Sequence, residues 1–163
     1  MTTPSQPHVD QEEIQAQLVQ DFVCLPDWPQ RYQYLIDLGR KLQQFPQEFR
    51  VEQNEVHGCQ ASVWLKPDCR GGRIYFTGTS DSLIVAGLMA LLFRIYSGRT
   101  FCDVLTTSPW SLKEMGLHHH LSPQRATGLA GMVERMREFA LGCSQQSPSS
   151  NTCTHGNLDH AAN

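Results

Sequence analysis

Leu83 to Phe93 (LIVAGLMALLF) is an unbroken apolar run of the chain, closed by Arg94. Ser80-Asp81-Ser82 stands immediately before it, and all three residues are of helix-capping type. A helix that is apolar nearly all round has no face to offer to water, so Leu83 to Tyr96 is expected as a buried central helix with other elements wrapped round it. The run is too short for a bilayer, which needs about 20 residues. The cover must therefore come from the protein itself. The chain has 163 residues, of which 40% are hydrophobic and 18% charged, an ordinary balance for a globular protein. At that length roughly two-thirds of the unfolded surface is buried on folding, so neither disulfides nor a metal is required. Thirteen Lys and Arg against sixteen Asp and Glu give a net charge of -3. That balance argues against a basic nucleic-acid binder and against a polybasic membrane-surface protein.

The cover is readable on both sides of the run. Residues 1–9 are polar with two prolines and are expected as a flexible N-terminal arm. Between Asp10 and Val23, the residues Ile14, Leu18, Val19, Phe22 and Val23 form one helical stripe, with Asp10 as cap. Asp27-Trp28-Pro29 opens a second helix ending near Gln43, its stripe being Tyr32, Leu35, Ile36, Leu38 and Leu42. Residues 44–56 are expected as a loop. Ala61–Leu65 and Arg73–Thr79 are β-prone, and Pro67 to Gly72 (PDCRGG) is turn-like, so a hairpin is expected. Thr100 is expected to cap a short helix, Ser108-Pro109 another, and Ser122-Pro123 a long one over roughly 123–141. Residues 142–163 are polar and expected as a disordered tail, leaving 10–141 as the single domain. Strands and helices segregated in this way indicate α+β, a small antiparallel sheet packed by helices.

Among the side chains able to do chemistry, Cys59 stands out. It lies in His57-Gly58-Cys59-Gln60, between a polar loop and the first strand, where a partner can reach a thiol. Gly58 is a position where another group can approach the backbone closely. A cysteine is otherwise commonly a small buried hydrophobe, and the other five are read less sharply. Cys24 ends the first helix, Cys69 lies in the hairpin turn, Cys102 faces the core, and Cys143 and Cys153 belong to the tail. No Cys-x-x-Cys pair occurs, and the thiols are expected to be reduced. His118, His119 and His120 are expected as solvated loop residues, since adjacent histidines do not converge on one metal. His57 would share a face with Cys59 if both were in a strand, which keeps a cysteine hydrolase in view although no orienting third residue is evident. Arg125 sits in the first turn of the last helix, where a cation is unfavourable, so it is a candidate for serving a site. The N-terminal MTTPSQPHVDQEE has neither the positive nor the apolar region of a secretory signal, so a cytoplasmic location is expected, or an organelle stroma or matrix had a targeting segment been removed.

Four segments together resemble one known family. Gly58-Cys59-Gln60-Ala61-Ser62-Val63-Trp64 resembles its GCQSxVW signature, and Ser80-Asp81-Ser82-Leu83-Ile84-Val85-Ala86-Gly87-Leu88 its SDxxIVxGL. Leu121-Ser122-Pro123-Gln124-Arg125-Ala126-Thr127-Gly128-Leu129 resembles LTPSRxxGL, and the helix with Trp28, Arg31, Tyr32, Leu35, Ile36, Leu38 and Gly39 resembles a fourth element. The family is that of the SufE and CsdE sulfur-acceptor proteins, and the likeness runs in order over about residues 10–140. It implies a fold similar to the IscU scaffold. It implies a persulfide acceptor at Cys59, with Gly58, Gln60, Asp81, Arg125 and His57 supporting it or serving in docking. His120 matches a histidine that the family often carries. Ala61 and Ser122 depart from the usual Ser and Thr.

The implied partners are a SufS/CsdA-type cysteine desulfurase, which would carry the pyridoxal phosphate, and a SufBCD-type scaffold. No cofactor or metal is expected on this chain, and neither nucleic acid nor membrane as a partner. It would act as an activator and sulfur-transfer partner rather than a stand-alone enzyme. Arg125, or backbone amides near Gly58–Gln60, would favour the thiolate. The resting thiol is expected to point into an apolar recess walled by Trp64 and the Leu83–Phe93 helix. The alternative is an iron–sulfur scaffold holding the cluster directly, which needs several converging ligands.

Overall fold

A computed structural model describes residues 10–146. The apolar run forms α3 (Leu83–Tyr96), started by the Ser82 hydroxyl, which accepts from the Val85 amide. Val85 to Leu92, Ile95 and Tyr96 are all buried, as a segment without a polar face requires. Four elements pack on it: α1 (Gln11–Val23), α2 (Trp28–Arg40), the hairpin and α7 (Pro123–Gln146). The fold is α+β. Among the described residues, no helix is long and apolar enough to cross a membrane.

Asp10 and Asp27 cap α1 and α2, accepting from the amides of Glu12 and Gln30, and Pro29 occupies the first turn of α2. α2 crosses α3 closely enough that Gly39 and Gly87 face each other's helix. A methyl built on Gly39 would stand 2.8 Å from the Gly87 nitrogen, and one on Gly87 would strike the Leu35 carbonyl. The buried face of α1 keeps Leu18 and Phe22 of the expected stripe, with Ile14 and Val19 packed against the core, and departs from it at Val23. Gln11, Gln15, Leu18 and Phe22 are buried, whereas Val23 is 48% exposed. The two glutamines are inside because distant segments satisfy them. The Gln15 carbonyl oxygen accepts from the Ser111 amide and hydroxyl, and its amide donates to the Ser108 carbonyl. Gln11 donates to the Ile95 carbonyl and accepts from the Thr107 hydroxyl.

The sheet has the order β1 (Val63–Arg70), β2 (Arg73–Ser80), β3 (Arg99–Thr100), antiparallel throughout. The turn is shorter than expected. β1 continues through Pro67 to Arg70, and only Gly71 and Gly72 reverse the chain, with φ of 58° and 74°. Two successive positive φ values are what a tight hairpin turn demands. Pro67 is tolerated because β1 is an edge strand. Val63, Leu65, Ile74 and Phe76 point into the core against the helices.

Beyond α3, Thr100 caps α4 (Phe101–Thr106) as expected. α5 (Trp110–Glu114) does not follow its expected signature. Pro109 precedes the helix rather than opening it, and Ser108 gives its carbonyl to Gln15 instead of capping. The histidine run is no loop but a one-turn helix, α6 (Leu117–His120). His120 stacks on Trp28 with centroids 3.4 Å apart, while Tyr32 donates to its carbonyl. α7 starts at Ser122-Pro123 as expected but runs to Gln146, so Gly142 to Gln146 are helical. The expected arm at 1–9 and the remainder of the expected tail, with Cys153, lie outside the described residues.

Two cysteine expectations are corrected. Cys69 sits on β1, not in a turn, and is disulfide-bonded to Cys143 of α7 across a Cα–Cα distance of 6.2 Å. The register explains the meeting. Cys69 is opposite Ile74 and so lies on the helix-facing side of β1, and the last turns of α7 pass that end of the hairpin. Cys102 is half-buried on α4 and is not a free thiol.

Candidate functional site

Cys59 lies in the loop 57–62, and both ends of that loop are pinned. The Val56 amide donates to the Val63 carbonyl at 2.8 Å, and Glu55 bridges to Trp64. Ser62 and Asp81 then clasp each other: the Ser62 amide donates to the Asp81 carboxylate at 3.0 Å, and the Asp81 amide donates to the Ser62 carbonyl. Asp81 is therefore the loop's latch, while Ser82 performs the helix cap. Gly58 has φ of 90°, a left-handed conformation that other residues rarely adopt, and a Cβ there would meet only the Thr127 methyl, in ordinary contact at 3.9 Å. Its glycine is required by the backbone path rather than by the approach of another group.

Within this loop Cys59 is a free, half-buried thiol packed against the core. Its seat is α7. A methyl built on Gly128 would lie 2.7 Å from the Cys59 Sγ and 2.9 Å from its Cβ. One turn on, Gly131 passes beneath the His57 carbonyl. The open side of Cys59 faces a cleft of about 520 Å³ lined by Gln60, Ala61, Asp81, Ser82, Val85, Ser122, Gln124 and Arg125. Four of the supporting residues expected from sequence thus converge with Cys59: Gly58 and Gln60 as its neighbours, Asp81 and Arg125 across the cleft. His57 does not join them. It is exposed and lines a separate cleft with Glu52, Glu55, Glu134 and Glu138. Residues 57–59 are not in a strand, so the shared face expected for His57 and Cys59 does not exist.

The walls also differ in part. Val85 of α3 lines the cleft, but Trp64 does not; its ring lies under the Arg50 guanidinium at 5.4 Å. His120 is held against Trp28, apart from the lining.

The electrostatic character of the cleft was not readable in any one motif. Ser82 starts α3 and Ser122 starts α7, where its hydroxyl accepts from the Arg125 amide. Both serines line the same cleft, so two helix N-termini open onto it. Their free amides and aligned peptide dipoles favour negative charge nearby. Arg125 adds a cation to the lining of the cleft. Each half of this arrangement has a sequence signal, a Ser cap before an apolar run and a Ser-Pro start, but their convergence belongs to the tertiary fold. The cleft therefore places the Cys59 sulfur beside two helix N-termini and the Arg125 cation, with the Asp81 carboxylate also in its lining. Among the described residues, no group of three or more His, Cys, Asp or Glu is placed to hold a metal. Cys143 is fifteen residues along α7 from Gly128, about 22 Å by helical rise, so the Cys69–Cys143 pair lies far from Cys59.

A family model described as the SufE Fe–S metabolism associated domain matches residues 16–140. The chain is 39% identical over 129 residues to an uncharacterized SufE-like protein of Rhizobium etli, covering 76% of this chain and 87% of the relative. It is 37% identical over 131 residues to one of Rhizobium meliloti, covering 77% and 94%. The solution structure of a hypothetical protein from Thermus thermophilus shares the fold with a TM-score of 0.68, at 24% identity over 81% of this chain and 96% of that one.

Proposed function

Since this chain belongs to the SufE family of Fe–S metabolism proteins, we propose that Cys59 accepts sulfur from the persulfide of a SufS/CsdA-type cysteine desulfurase. The observation that carries this reading is a free, half-buried thiol opening onto a cleft shared by two helix N-termini and Arg125. The Cys59 thiolate attacks the outer sulfur of the donor persulfide. A new S–S bond forms at Cys59, the donor's S–S bond breaks, and the donor cysteine leaves as a thiolate. One persulfide is consumed and one made, so no oxidant or reductant takes part. The dipoles and Arg125 support the negative charge that enters and leaves the cleft. Removing sulfur from the donor frees the desulfurase for its next turnover, which is how this chain stimulates it. The sulfur then passes to a SufBCD-type scaffold. Pyridoxal phosphate belongs to the desulfurase, and this chain needs no cofactor of its own.

Direct cluster binding is the weaker alternative, because among the described residues no group of three or more His, Cys, Asp or Glu is placed to hold a metal. A hydrolase is weaker still, because His57 lines a different cleft. The test is to mix the protein with an active cognate desulfurase and cysteine and to measure intact mass. A reductant-sensitive gain of one sulfur atom, lost in Cys59→Ser, is the expected result. Absence of that gain on Cys59 defeats the transfer reading.

A further inference from the structure

Gly128 packs directly against the Cys59 thiol, and it offers the thiol no side chain at all. A Cβ there would stand 2.7 Å from Sγ, well inside contact distance, and 2.9 Å from the Cys59 Cβ. The obstruction would not be the far end of a flexible chain but the nucleophile itself, on a loop pinned at Val56 and Ser62. Gly131 serves as an internal comparison. It lies on the same face of the same helix, under the same loop, yet its Cβ would reach the His57 carbonyl at 3.4 Å, an ordinary contact. Glycine in a helix interior is unfavourable relative to alanine. At 131 alanine fits, whereas at 128 it would displace Cys59.

We propose that Gly128 is a positioning residue that seats the Cys59 sulfur against α7, setting how far the sulfur is exposed and how long a persulfide on it survives reductants. The inference rests on the sulfur-acceptor reading, because only a sulfur carrier needs such protection. In the seated position the α7 backbone at Gly128 covers one side of the sulfur, and its open side faces the cleft, where an outer sulfur would extend. A side chain at 128 moves the sulfur outward. An attacking thiolate then bonds to the outer sulfur, and Cys59 leaves as a thiolate more readily.

The experiment uses the full chain in a Cys24→Ser background, since Cys24 is also free and exposed. Cys59 is loaded with inorganic polysulfide, from which its thiolate takes one sulfur and releases a shorter polysulfide. No desulfurase is involved, so a failure of transfer from a partner and a failure of this proposal are separate results. Two rates are followed by mass spectrometry of the Cys59 peptide: alkylation of the unloaded thiol, and loss of the loaded sulfur to a dithiol reductant. Gly128→Ala is expected to raise both several-fold, while Gly131→Ala leaves both at the parent value. Equal rates in Gly128→Ala and the parent overturn the proposal, and so does an equal rise in Gly131→Ala. Should Gly128→Ala fold poorly, thermal melts of a double-mutant cycle with Cys59→Gly decide the same point. The alanine is expected to lower the melting temperature only when Cys59 is present. Equal lowering in both backgrounds overturns the seat.

Discussion

Asp81 and Tyr96 show how single side chains hold this molecule. The Asp81 carboxylate accepts from the Ser62 amide and so ties the end of the Cys59 loop to the start of α3. Asp81→Ala leaves that amide without its partner. We expect a loss of about 1 kcal/mol and faster hydrogen exchange at the Ser62 amide, with Asp81→Asn nearer to wild type; unchanged exchange in Asp81→Ala would count against the latch. Tyr96 donates to the Thr107 carbonyl at 2.7 Å from a fully buried position. Burial pushes its phenol up from 10 to about 12, with the nearby Arg137 pulling the other way. The folded protein therefore keeps the Tyr96 proton where the unfolded chain releases it, and stability falls as pH rises from about 10 towards 12. Denaturant melts across that range should show the decline, and Tyr96→Phe should flatten it. Tyr34, also raised by burial, contributes in the same direction. At this scale the sequence was partly legible: Cys59, Asp81 and Arg125 were marked by motif, but not Gly128 as the seat of the thiol. Glycine carries no chemistry of its own, and its meaning lies in what would occupy its missing side chain.

The elements were legible where a local signal decides them. Ser82, Asp27, Thr100 and Ser122 each start a helix through a hydrogen bond within one turn. They were misread where distant partners decide. On α1, Gln11 and Gln15 are buried in place of Val23, because carbonyls and hydroxyls more than eighty residues away satisfy them. Ser108 resembled a cap and instead serves Gln15. The α2–α3 crossing has a similar dependence. Gly87 sits in the most apolar helix of the chain, and its lack of a side chain lets the Leu35 backbone approach. Gly87→Ala improves helix propensity but forces the helices apart. The net effect expected is a destabilisation of about 1–3 kcal/mol, read from denaturant midpoints. A stabilised variant would show that the crossing has slack.

For the whole molecule, the Cys69–Cys143 bond joins the hairpin to the last helix across 74 residues of sequence. Closing so long a loop in the unfolded chain is worth about 2–4 kcal/mol. Cys143→Ser should show that loss as a lower melting temperature than the untreated wild type, and a phosphine reductant, which also opens the Cys102 disulfide, should lower it at least as far; an unchanged melt in Cys143→Ser would contradict the bond. The sequence by itself determined the α+β class, the central buried helix and the hairpin, and it marked Cys59 as the candidate thiol, because each rests on periodicity, capping or a contiguous motif. Only the tertiary structure decided that two helix N-termini face one thiol, that Gly128 seats it, that His57 turns to another cleft and that Cys69 meets Cys143. Those relations join residues far apart in the chain, and no local pattern carries the packing angle of α7 across the loop and the sheet.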